Sequence, residues 1–217
     1  MILAIYGAGG FGRDVLSLAL QINMSNSRWE KFVFIDDVTN EEHVRNVSIY
    51  SFESFQRKFT KETVEIVIAL GEPVYRDKLF VKVKDAGFSL ATLVHPNVYV
   101  PEDTMINEGS MIYSNAFISS SASIGKNVAV MSLTAVGHGC MIGDHSVLCT
   151  GAVMGGESHI AKNTFVSMAA SIKEKVSIGC NVVIGLGAAV FRDIPDGVVV
   201  IGNPARIVAK NTGKVFG

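Results

Sequence analysis

A chain of 217 residues, 48% of them hydrophobic, has the material for one large domain or two small ones with cores of their own. Its 19 basic and 20 acidic residues leave a formal charge of -1, which argues against a general nucleic-acid or membrane-surface role and points to a small-molecule partner. Three cysteines without C-x-x-C or Cys/His spacing argue against a disulfide framework or a structural metal site, and for reduced thiols in a cytoplasmic protein.

In chain order, the opening MILAIYG carries no basic segment ahead of an apolar stretch, and no apolar run is long enough to span a bilayer, so neither export nor membrane insertion is expected. The run ILAIYG predicts a strand, GRDVLSLALQI a helix, KFVFIDD and ETVEIVIALG two further strands, and VYRDKLFVKVKDAGF a closing amphipathic helix. Alternation of this kind implies a small three-layer α/β unit around a parallel sheet. Gly7, Gly9 and Gly12 form G-x-G-x-x-G between the first strand and the first helix, and Asp36 ends the second strand. Such a loop lets phosphate approach the positive end of a helix. Only about half of the double βαβαβ platform of an NAD site is present, so a mononucleotide or nucleotide sugar is the better fit. A purely structural role is the alternative, in which the glycines close a tight turn and Asp36 caps a loop.

Beyond residue 92 the helical spacing stops and a period of six replaces it. From Val94 to Val190, every sixth residue is aliphatic or Met, seventeen positions in succession. With about one such residue in three in an ordinary chain, the odds of this arising by chance are on the order of one in a hundred million. Four residues beyond each stands a small or β-branched residue, among them Ser110, Ala122, Thr134, Cys140, Ala152 and Thr164. One large and one small inward residue per six describes a parallel β-helix. IGKN, IGDH, IAKN and IGCN recur every eighteen residues, so each coil has three sides, and Asn127, His145, Asn163 and Asn181 form a ladder on one edge. Turns with positive φ favour Asn and tolerate His. His145 is therefore read as a turn residue. His138 lies off this ladder, its eighteen-residue neighbours being Ser120 and Gly156, and the repeat gives its imidazole no structural task.

An unbroken hexapeptide repeat closing in IPDGVVVIGNPARIV, preceded by IYGAGGFGRDV, resembles the two-domain left-handed β-helix sugar acetyltransferases, which N-acetylate bacillosamine precursors and other nucleotide-linked amino sugars or O-acetylate sialic acid. The resemblance covers nearly the whole chain. It implies a Rossmann-like nucleotide-sugar-binding domain over 1-92 and a left-handed parallel β-helix with a C-terminal tail over 93-217. It also implies acetyl-CoA as acyl donor, no metal, and a homotrimer with its active sites between neighbouring prisms. His138 aligns with the general base, a task suited to imidazole, which is largely unprotonated at pH 7 yet accepts a proton. Gly156, Met168 and Leu186 align with the acetyl-CoA groove, and Gly9, Gly10, Phe11, Asp36, Asp37 and Gly71 with positions that contact the nucleotide sugar.

Two positions depart from the family's pattern. Gly139 stands where many relatives carry an acidic residue, and Val147 where some carry a CoA-contacting histidine. That leaves Asp144, Glu157 or a backbone carbonyl to orient His138. The expected activity is N-acetylation of a nucleotide-linked amino sugar, a 4-amino-4,6-dideoxyhexose for surface glycan. A sialic acid or other sugar O-acetyltransferase, and a non-catalytic nucleotide-sugar-binding protein, are the alternatives. A carbonic-anhydrase-like site would need three histidines on zinc, and only His138, His145 and His159 follow residue 100.

Overall fold

A computed structural model describes residues 1–215. The first part contains β1 (Ile2–Tyr6), α1 (Gly10–Asn26), β2 (Lys31–Ile35), β3 (His43–Val44), β4 (Val47–Tyr50), α2 (Phe52–Lys58), β5 (Val64–Ile68), α3 (Pro73–Asp85) and β6 (Ser89–Leu90). They build a sheet of order β3-β4-β2-β1-β5-β6, parallel except where β3 runs against β4. The three strands and two helices expected from the apolar runs are all present. The β3-β4 hairpin and α2 are additional. They rest on local signals too short for periodicity: a two-residue turn with positive φ at Arg45 and Asn46, and a Ser51 cap that accepts from the Ser54 amide at 3.2 Å.

The second part is a three-sided spool of two-residue strands. Its first face starts at Leu93–Val94 and Met111–Ile112 and runs to Val183–Ile184, then adds Val198–Ile201 and an antiparallel Arg206–Lys210. The second face runs from Phe117–Ile118 to Ala189–Val190, and the third from Met105–Ile106 to Ser177–Ile178. The two-residue rungs pair in parallel with residues eighteen further on, as Ala129 does with Val147 and Val147 with Phe165, until Val183 pairs with Val199, sixteen on. Both inward columns meet inside the spool. Ile112, Ile124, Val136, Leu148 and Ile184 are buried, as are the small residues Ala122, Cys140, Ala152 and Ala188. At four of the buried small positions that are Ser or Thr the hydroxyl donates to a corner carbonyl of the next coil, Ser110 to Gly125, Thr134 to Cys149, Ser146 to Ala161 and Thr164 to Gly179, whereas Ser158 donates back to Gly155 in its own coil. These four buried hydroxyls are thereby satisfied.

The two parts are locked together on one face and one edge of the spool. Outward residues of the first face are apolar, and Leu93, Met111, Ala129, Val147 and Phe165 pack with Val15, Leu16, Leu18, Ala19 and Ile22 of α1 in one core. α1 is thus covered on both sides, by the sheet and by the spool. α3 lies along the asparagine ladder. Arg76 is fully buried, and its guanidinium makes five hydrogen bonds, to the carbonyls of Ile68 and Leu70 and to the backbone and side-chain oxygens of Asn127. Asn127 Nδ2 returns a bond to the Arg76 carbonyl. With carbonyl oxygens and no carboxylate as its partners, burial pulls the Arg76 pKa down to about 9.

All four ladder residues have positive φ, from 53° to 64°. His145 does more than turn the chain. It is buried, Phe80 meets its ring edge-on at 5.1 Å, and Asp77 lies 3.4 Å from Nε2. Burial lowers its pKa against the pull of Asp77 and Asp144. A second task for this rung, domain docking, could not be seen in the repeat.

Candidate active site

His138 occupies the middle of the edge between the second and third faces, just after the strand Ala135–Val136. Its side chain is exposed and makes no hydrogen bond to any of the described residues. One coil further on, Gly156 lies directly against the ring: a Cβ there would overlap the imidazole, Nε2 most closely. Glycine at 156 therefore makes the seat in which the imidazole rests, and the Glu157 amide donates to the His138 carbonyl at 2.8 Å. The two carboxylates suggested as orienting groups separate cleanly. Asp144 belongs to the next edge, where its Oδ1 accepts from the Lys126 amide at 2.7 Å. Glu157 stands on the edge of His138 itself.

Met168 and Leu186 are exposed at 54% and 69%, but on a different edge, between the first and second faces. There they line a cavity of about 280 Å³ with Met131, Cys149, Thr150, Phe165 and Ser167. Burial pushes the Cys149 thiol up to about 11, so it stays protonated at neutral pH. Within one chain, then, Gly156 joins His138, while Met168 and Leu186 lie across the second face. That face and the edge beside it expose Phe117, Leu133 and Val153.

In the α/β domain the glycine loop behaves as its spacing requires. Gly7 has φ 114°, and a Cβ on Gly12 would collide with the Gly7 carbonyl, so these two hold the tight strand-to-helix turn. Gly9 and Gly10 are exposed, a Cβ on Gly9 would meet nothing within 4 Å, and the first turn of α1 has neither a side-chain cap nor an acidic residue. Its amides are open to an anion. The acidic pair is occupied by the protein itself. Asp36 accepts from the amides of Ala8, Val38 and Thr39 at 2.9–3.1 Å. Asp37 accepts from Tyr6 Oη, Lys82 Nζ and the Phe52 amide at 2.5–2.8 Å. Burial works against the Asp37 carboxylate, but the bonds from Lys82, Tyr6 and Phe52 outweigh it and hold the pKa below the usual value. Both acids line a cavity of about 220 Å³ with Tyr6, Gly7, Val38, Leu70 and Leu79. Phe11 stacks on Tyr113 of the spool at 6.3 Å, and Gly71 is half-buried beyond Leu70, ahead of α3.

Sequence reasoning missed the cleft between α1 and the spool, about 310 Å³, whose polar walls include Asp14, Gln21, His95, Ser132 and Thr150. A helix stripe and two coil corners far apart in sequence meet there, and neither periodicity shows it. The three late histidines lie apart: His138 on one edge, His145 under α3, and His159 at an exposed strand position of the third face. No group of three His, Cys, Asp or Glu among the described residues could hold a metal ion.

Residues 2–83 match the PglD N-terminal domain, and residues 121–156 match the bacterial transferase hexapeptide (six repeats). The chain belongs to the two-domain left-handed β-helix acetyltransferases. Among its relatives is the GDP-perosamine N-acetyltransferase of Escherichia coli O157:H7, 32% identical over 216 residues, which span 94% of this chain and 95% of the relative. WeeI from Acinetobacter baumannii AYE superposes with a TM-score of 0.89 at 31% identity, covering 96% of this chain and all of that one. The acetyltransferase domain of PglB from Neisseria gonorrhoeae FA1090, solved in complex with acetyl coenzyme A, superposes with a TM-score of 0.88 at 28% identity, over 95% of this chain and 98% of that one.

Proposed function

We propose that this chain transfers the acetyl group of acetyl-CoA to the amine of a nucleotide-linked 4-amino-4,6-dideoxyhexose, in the cytoplasm, at a cleft between two protomers of a homotrimer. The observation that carries the reading is the exposed imidazole of His138 in its seat over Gly156, one flat face away from the apolar cavity at Met168 and Leu186. A neighbouring protomer presenting that cavity to His138 would complete the site and cover Phe117, Leu133 and Val153, which are exposed in the single chain. The relative from E. coli, an N-acetyltransferase of GDP-perosamine, supports an amino-sugar acceptor, and the acetyl-CoA complex of the Neisseria domain supports the donor.

Each part of the site has a chemical task in this reading. The sugar's diphosphate rests on the open amides of Gly9 and Gly10. The apolar walls at Met168 and Leu186 take the pantetheine arm of the donor. Holding both substrates converts an encounter in solution into a reaction between positioned groups. The amine attacks the thioester carbonyl, His138 takes the proton that the nitrogen must lose, and a backbone N–H steadies the oxyanion. The C–S bond then breaks, and His138 returns the proton to the departing thiolate.

Thiol release from acetyl-CoA, measured with UDP-, dTDP- and GDP-linked 4-amino sugars beside free sialic acid, tests the assignment. Release with at least one nucleotide-linked amine is the expected result. Release with sialic acid alone would make the protein an O-acetyltransferase, and none with any acceptor would leave it a binding protein.

A further inference from the structure

A general base works best when one ring nitrogen is fixed by a partner while the other receives the proton. His138 has no such hydrogen bond to any described residue. The polar residues that share its edge on neighbouring coils, among those described, include Glu102, two coils before His138. On the coils before it are Ser119, Ser120 and Ser121, and Ser121 donates to Asp103 at 2.7 Å. On the coils after it come Glu157, then Lys173, Glu174 and Lys175, with Lys173 3.6 Å from Glu174 and Lys175 3.8 Å from Glu157.

We propose that Glu157 is the positioning residue for His138, a carboxylate delivered from the following coil. The inference rests on the reading of His138 as general base. Three observations meet here. The imidazole leans over Gly156, the residue next to Glu157, and the Glu157 amide already holds the His138 carbonyl. A Cβ placed on Gly139 would lie 3.5 Å from Glu157 Cγ, in ordinary contact, so the stem of Glu157 runs beside the position that follows His138. Among the described residues its carboxylate is held only by Lys175, in a pair whose side chains are 54% (Glu157) and 71% (Lys175) exposed. Pairs as exposed as this are worth little, so a modest rotation exchanges Lys175 for the imidazole. Asp144 is tied to another edge, and Glu174 stands two coils from His138, with Lys173 as its partner. During transfer the carboxylate holds the N–H of one ring nitrogen, while the other takes the proton from the acceptor amine and later gives it to the thiolate.

Glu157→Gln keeps the shape at a position with φ 58° and removes the charge. Turnover with the nucleotide-linked amino sugar is expected to fall about tenfold or more, with KM for acetyl-CoA unchanged. Histidine-labelled protein followed by NMR gives a readout independent of any acceptor. The His138 ring, assigned with His138→Gln, should titrate at lower pH in Glu157→Gln and at higher pH in Lys175→Ala, and Glu157→Asp should recover part of both effects. Unchanged ring titration in Glu157→Gln, together with wild-type turnover, would overturn the proposal while leaving the base intact. Wild-type turnover of His138→Ala would instead overturn the base reading.

Discussion

His138→Ala is expected to lower acetyl transfer by about two to four orders of magnitude, with melting temperature, oligomeric state and acetyl-CoA affinity unchanged. The separation of effects follows from where the imidazole sits. It is exposed on an edge of the spool, outside both inward columns, and no hydrogen bond to another described residue depends on it. The fold loses nothing when it is removed. The reaction loses the group that takes a proton from the attacking nitrogen, so kcat and kcat/KM for the acceptor should fall together, as they do when an interaction made only in the transition state is lost. Kinetics at saturating acetyl-CoA, beside calorimetry of the same samples, make the check. Turnover near wild type would exclude His138 as the base.

Arg76→Met should cost about 3 kcal/mol or more of stability, at about 1–3 kcal/mol for each buried acceptor left unpaired. The change removes five hydrogen bonds and leaves the oxygens of Ile68, Leu70 and Asn127 buried without their donor. For a chain of this size the melting temperature should drop by about 10 °C or more. Because Arg76 ties β5 and α3 to the asparagine ladder, the α/β domain should loosen on the spool, and hydrogen exchange should rise in α3 ahead of the inner coils. A change in melting temperature of a degree or two would mean that the apolar contact of α1 with the first face holds the domains without this bolt.

The spool was legible because its rule is strict. One slip in the period of six would turn inward residues outward, and seventeen consecutive positions keep it. The chemistry of the docking face is also written there: Met111, Ala129, Val147, Phe165 and Val183, each just before an inward residue, are all apolar on one face, whereas the third face alternates Met105 and Met141 with Ser123, His159 and Ser177 at the same positions. The glycine loop followed from spacing alone, since Gly7 and Gly12 meet at a turn set by local geometry. Arg76 and Asn127, 51 residues apart, left no such trace, because their contact exists only once both domains are folded. Asp36 and Asp37 were visible as acids at the end of a strand, but their bonds to Ala8, Phe52, Tyr6 and Lys82 depend on elements that periodicity does not align. Phe11, which the resemblance places among the positions that contact the nucleotide sugar, lies in the first turn of α1 and stacks on Tyr113 of the spool, a contact that no local pattern reveals.

If chemistry takes place where the His138 edge of one chain meets the Met168 and Leu186 edge of the next, two inactive variants should repair each other. His138→Ala in one chain and the Met168→Glu, Leu186→Glu pair in another would each be silent alone. Mixed in equal amounts and reassembled, about one site in four would unite an intact histidine with an intact groove across a head-to-tail contact, and a matching fraction of wild-type thiol release should return. A mixture as inactive as its components, with mixed assemblies confirmed by mass, would contradict a shared site.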